Sequence, residues 1–157
     1  MKYAKGGFKQ IYAIRFELGE DLLLGLQRFC EEQGIGHGVV LSGIGSLRGC
    51  TYFSPAELPD KPGLYGYTEP LEQPCPIELI SMGGIICTED DGSISMHIHA
   101  AFADDRGNCC GGHLKEGNHV LTTVELVIGE LEGIYMSRSR DPERGVMIFE
   151  PKQMERI

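Results

Sequence analysis

From Ser93 to Ala103 hydrophobic and polar positions alternate: Ile94, Met96, Ile98, Ala100 and Phe102 fall on one side of an extended chain, Ser95, His97, His99 and Ala101 on the other. Successive side chains of a strand point to opposite faces, so this stretch predicts a strand with one face in a core and the other available. Gln10 to Glu17 reads as another strand, with aromatic and β-branched neighbours around Ile11, Ala13 and Phe16. The period then changes. Leu22, Leu23, Leu26, Phe29 and Cys30 recur at helical spacing, with acidic residues expected in the first turn and Gly34 where a C-terminal cap belongs. Gly25 sits inside that helix and costs about 1 kcal/mol against Ala.

Two short strands follow, "GVVLSGIGSL" and "GCTYFS", around a glycine-rich corner. Between Pro55 and Pro76 lie six of the eight prolines, which predicts an irregular surface excursion. "IELISMGGIICTEDDG" is a strand running into an acidic turn. After the turn "DDRGN", Cys109 to Leu114 returns antiparallel, and "HVLTTVELVIGEL" is a long strand rich in Val, Leu and Thr. Strands outnumber helices, so the predicted class is α+β: a mainly antiparallel β-sheet with one or two packed helices. At 157 residues the chain suits one domain, residues 1–157 with a core from about 8 to 150.

Composition narrows the setting. Apolar residues at 41% and charged residues at 24% are ordinary globular usage. No stretch approaches the roughly 20 apolar residues of a membrane helix, and "MKYAKGGFKQ" leads into a strand pattern rather than a secretory apolar segment, so the cytoplasm is the expected compartment. There the six cysteines read as reduced thiols, mostly small buried apolar groups. The net charge is −9 and no basic cluster exceeds "RSR" at Arg138 to Arg140, which opposes tight direct binding of nucleic acid.

Candidate chemistry centres on three of the five histidines. His97 and His99, two residues apart on a strand, have side-chain bases about 6.6 Å apart on one face. A hairpin through "DDRGN" brings His113 alongside. Three neutral imidazole nitrogens suit a divalent metal, zinc first, with iron or nickel also compatible. The competing reading is three polar histidines on a wet sheet face. Three protein ligands leave a metal position open, and Glu125, Glu78, His119 or a residue from a neighbouring subunit could close it. Adjacent Cys109 and Cys110 point to opposite faces, so at most one could join, and packing is the preferred role. The HxH pair is shared with cupins, but Asp104 stands where a cupin glutamate would, and no Pro-x-Gly motif follows. No G-x-S-x-G nucleophile motif and no full dinucleotide-binding glycine spacing is present.

"LSGIGSL" at 41–47, "IELISMGGI" at 77–85, "HIH" at 97–99 and "GGHLKEGNHVLTTVELVIGEL" at 111–131, with the strand and helix of residues 10–34, resemble the PPC family, the domain conserved in plants and prokaryotes. The resemblance runs to about Ile134. It implies a sandwich-like domain with a major antiparallel sheet, assembled as a homotrimer. In plants the domain follows AT-hook motifs in nuclear DNA-binding proteins and contacts transcription factors; prokaryotic relatives are free-standing and lack an established activity, and this chain resembles those. It has no Arg-Gly-Arg-Pro hook, and the plant partner-binding segment is met by "CPIELI", which keeps Glu78. His97, His99 and His113 match the HxH and GGHL positions of prokaryotic relatives, which implies a bound metal, zinc by preference. Thr123 and Glu125 match a T-x-E pattern, so the resemblance gives Glu125 the role of orienting a histidine.

Two functions follow as expectations. One is a homotrimeric binding or regulatory domain with a three-histidine metal site, DNA-binding by family analogy and with a protein or DNA partner. The other is a metal-dependent enzyme of hydrolase or lyase type acting on a small molecule, with Glu125 or Glu78 moving the proton.

Overall fold

The computed structural model describes residues 1–89, 91–142 and 146–154; Asp90 of the expected acidic turn, and residues 143–145 and 155–157 of the expected domain, lie outside them. Strand β1 (Gly7–Phe16) leads to the helix α1 (Leu22–Gln33), then to β2 (Gly38–Leu47) and β3 (Cys50–Phe53). The proline-rich stretch carries three short strands, β4 (Pro55–Glu57), β5 (Tyr65–Tyr67) and β6 (Leu71–Gln73). The chain continues through β7 (Ile77–Thr88), β8 (Ile94–Asp104), β9 (Cys109–Leu114), β10 (Val120–Glu132), β11 (Ile134–Arg140) and β12 (Met147–Gln153). One eight-stranded sheet runs in the order β1-β10-β2-β7-β8-β9-β3-β6, with β4-β5 and β11-β12 as two-stranded ribbons. Every neighbouring pair is antiparallel. The α+β class predicted from the period of the chain is therefore the class observed, with a single helix among the described residues.

Two details depart from the sequence reading. The first turn of α1 holds no acidic residue. The acid is the cap itself: Asp21 Oδ1 accepts from Leu23 N at 3.0 Å and Leu24 N at 2.9 Å, while Oδ2 accepts from Gly117 N at 2.6 Å and ties the helix start to the β9-β10 loop. The stretch between Pro55 and Pro76 is likewise not wholly irregular. Pairing of β4 with β5 and of β6 with β3 satisfies backbone groups at a sheet edge where prolines are tolerated.

At its other end α1 closes as the sequence predicts, with Gly34 at φ 68°. Gly25 has a packing reason. A Cβ there would lie 2.6 Å from Phe16 Cε1, so its absence lets the helix sit against β1. Leu22, Leu26 and Cys30 of α1 meet Phe16, Leu79, Met82, Ile98, Phe102, Val124 and Leu126 in the core on one sheet face. The six cysteines are free: Cys30, Cys50 and Cys87 are buried, Cys75 and Cys110 half-buried and Cys109 exposed, so three of the six fit the buried reading.

The opposite face of the sheet carries the candidate site residues. There the alternation of β8 leaves Ile98, Ala100 and Phe102 in the core and turns His97 and His99 outward.

Candidate metal centre

Strand register assembles the site. On one side of β8, Ile85 faces His97 and Gly83 faces His99; on the other, His113 of β9 faces His99, and Phe53 of β3 faces His113. Cross-strand partners share a face, so Gly83, His99, His113 and Phe53 form one row with His97 beside it. The β8-β9 hairpin that sets this row is held by Asp104, whose Oδ1 accepts from Arg106 N at 2.9 Å and Asn108 N at 2.8 Å. Asp104 thus shapes the turn and stands outside the group that could ligate.

The three rings converge. Their centroids are 5.0, 5.1 and 5.5 Å apart, and one potential ligand atom from each lies within 4.8 Å of the others. His97 Nε2 and His99 Nε2 are 3.1 Å apart, where one nitrogen donates to the other's lone pair. Two zinc-bound nitrogens at tetrahedral angles stand roughly 3.3 Å apart, given bonds of about 2.0 to 2.1 Å. The pair therefore needs little movement to share an ion.

A buried nitrogen gives an independent test of fit. His113 Nδ1 is buried without a hydrogen-bond partner. Leaving such a group unpaired costs about 1–3 kcal/mol, which a bonding partner at that nitrogen would relieve. Burial, then the neighbouring rings His97 and His99, then Arg138 and Lys115 push the His113 imidazole down to about 4. His97 is lowered by burial first, then by His99 and Arg138. Both rings are neutral near pH 7, the form that binds metal.

One wall is aromatic: Tyr67 of β5 lies 5.1 Å from His113 between ring centroids and 5.9 Å from Phe53. The other side is open. A Cβ on Gly83, next to His99 in the row, would meet nothing within 4 Å, and His99 itself is exposed.

The other candidates lie elsewhere in this chain. Glu78 faces Ala103, four residues along β8 from His99 and hence about 13 Å away. Glu125, on β10 between Arg15 and Ile44, is separated from β8 by β2 and β7, or roughly 14 Å of strand spacing. His119 is exposed at the start of β10, its Nδ1 3.3 Å from the Gly19 carbonyl oxygen. Cys110 turns toward the core, where Gln73 Nε2 donates to its Sγ at 3.3 Å, and Cys109 is exposed, which agrees with a packing role for Cys110. Sequence reasoning missed Tyr67 and Phe53, which approach His113 only through pairing of short edge strands, and the clearance at Gly83. A glycine in a strand is the one signal that could have hinted at close approach there.

Residues 3–132 match the Plants and Prokaryotes Conserved (PCC) domain. The chain is 33% identical over 141 residues, 90% of its length, to the bifunctional protein GlmU of Synechococcus sp. (strain JA-3-3Ab), of which it spans about a fifth, 20%. It is similar to the metal-containing protein AF0104 of Archaeoglobus fulgidus, at 25% identity and TM-score 0.80 over 99% of this chain and 100% of that one. A plant- and prokaryote-conserved (PPC) protein of Pyrococcus horikoshii is similar at 27% identity and TM-score 0.79, over 98% and 100% of the two chains.

Proposed function

Because the chain belongs to the Plants and Prokaryotes Conserved domain family, we propose that it is a metal-binding domain in which His97, His99 and His113 hold a divalent ion, zinc first, with one position left to a small molecule. The convergence of the three ligand atoms within 4.8 Å carries this reading. A related structure of similar fold is that of a metal-containing protein, which agrees with it. Among the described residues no carboxylate or thiol joins the cluster, and the Gly83 side offers access. An ion with three protein ligands acidifies a bound water or polarises a carbonyl, which supports hydrolase or lyase chemistry. His113 and His97, held neutral by burial, supply nitrogen lone pairs rather than protons.

The test is cobalt substitution. Cobalt(II) added to metal-free protein should give the intense visible bands of a four-coordinate site at one ion per chain, and azide should shift them. Bands typical of free cobalt, or a bound spectrum indifferent to azide, would sink the reading of an open site.

The proposal extends to assembly as a homotrimer in the cytoplasm. Its physical support is an apolar strip on the outer face: Leu41, Ile44 and Ile80 are 46, 52 and 46% exposed on the adjacent central strands β2 and β7. Such patches mark contact surfaces. Glu78 and Glu125 flank this strip and therefore stand at the proposed contact between subunits. Ile44→Asp with Ile80→Asp should lower the mass seen in sedimentation equilibrium from three chains to one; an unchanged mass places the contact elsewhere. A DNA contact implied by the family would have to overcome the net charge of −9, so the proposed ligand is small rather than a duplex. Among the described residues no helix is long and apolar enough to cross a membrane.

A further inference from the structure

We propose that Arg138 and Ser95 form an anion-recognition corner beside the histidines, so that the site selects small carboxylates carrying a second oxygen donor for the metal. This deepens the metal-site reading and rests on it.

Ser95, His97 and His99 lie at alternate positions of β8 on the same face, their side-chain bases about 6.6 Å apart in succession. Arg138 reaches this line from the β11-β12 ribbon, and its Nη1 donates to Ser95 Oγ at 3.0 Å. Cys87, directly across from Ser95 on β7, is fully buried, so the ribbon covers this end of the face. Ser95 therefore fixes the guanidinium one row from His97.

Among the described residues no carboxylate pairs with Arg138, whereas Arg15 and Arg28 are paired with Glu17 and Glu20. A guanidinium has five donors in a planar fork that suits carboxylates, and Ser95 uses one. Its charge also reaches the rings. After burial and the neighbouring imidazoles, Arg138 contributes to holding His97 and His113 low. A fixed cation there repels a dication held by those rings, unless an anion lies between the two. A carboxylate on Arg138 with another oxygen on the metal removes that repulsion and uses the donors left free. The aromatic wall of Tyr67 and Phe53 stands beside His113, in the row beyond His97 from Ser95, leaving the Arg138 side for the charged end.

The probe is succinate, with acetate as the ligand that can reach only one of the two positive groups. Titrations of the cobalt-loaded protein, followed by the visible spectrum, should show succinate binding at least tenfold tighter in wild type than in Arg138→Gln. Acetate binding should change little. Arg138→Lys keeps the charge but loses the fork and should fall between them. In anion-free buffer Arg138→Gln should take up zinc more tightly than wild type, an effect that a merely structural arginine would not produce. If Arg138→Gln keeps a normal cobalt spectrum but binds succinate as wild type does, the anion corner is wrong while the metal site stands. If Arg138→Gln does not fold, an Arg138→Lys protein with wild-type succinate affinity overturns the corner as well. If wild type takes up no metal, the metal reading fails and the corner falls with it.

Discussion

His113→Ala should leave the purified protein without stoichiometric metal, and zinc should no longer raise its melting temperature. In the proposed site His113 is the ligand supplied by a different strand, and without it His97 and His99 define only one edge of that site. Losing merely a residue that supports a ligand lowers metal affinity roughly 10–100-fold, so losing a ligand should exceed that range. In wild type, zinc at a hundred times its dissociation constant should add about 2.7 kcal/mol of stability. The metal-free variant should be close to metal-free wild type. It loses ring packing against Tyr67 but no longer buries the unpartnered Nδ1. Metal content by plasma emission spectrometry on untagged protein, with thermal melts in zinc and in chelator, checks both halves. A variant that retains one zinc per chain would remove His113 from the ligand set.

Two neighbouring glycines should respond in opposite ways to the same substitution. Gly84→Ala places a methyl 2.2 Å from the His97 carbonyl oxygen and 2.7 Å from Ile98 Cα, both backbone atoms of β8. A backbone cannot rotate aside as a side chain can, so β7 and β8 must separate where His97 is held. Overpacking of this kind costs about 1–3 kcal/mol, and a contact against backbone belongs at the upper end or beyond. Gly83→Ala meets nothing within 4 Å and should leave stability unchanged or raise it by up to about 1 kcal/mol through reduced backbone freedom. Urea unfolding of the two variants decides the matter. Gly84→Ala should also lower zinc affinity by moving His97, and Gly83→Ala should not. Equal stabilities would mean that the approach of β7 to β8 is looser than the register indicates.

Much of this site was legible in the residues themselves. The alternation from Ile94 to Phe102 assigns His97 and His99 to one face, because the side-chain period of a strand is two and needs no partner to be read. The turn residues Asp104 to Asn108 make a hairpin, and a hairpin of that length brings His113 opposite His99. The helix boundary at Gly34 followed from its place after an amphipathic run. Glu125 shows the opposite case. Its T-x-E match resembled the family pattern, but in this chain two strands stand between β10 and β8.

What the sequence by itself determined was therefore local: the class of fold, the faces of the strands, the helix after β1, and the pairing of two histidines with a third across a tight turn. Tertiary structure alone decided what surrounds them. It brought Tyr67 and Phe53 against His113, put Arg138 on Ser95, a residue 43 positions away in the chain, and left Gly83 open beside His99. The physical reason lies in the range of the interactions. Periodicity and turn geometry act within a few residues, whereas strand order and ribbon docking are set by burial of a common core to which no single segment holds the key.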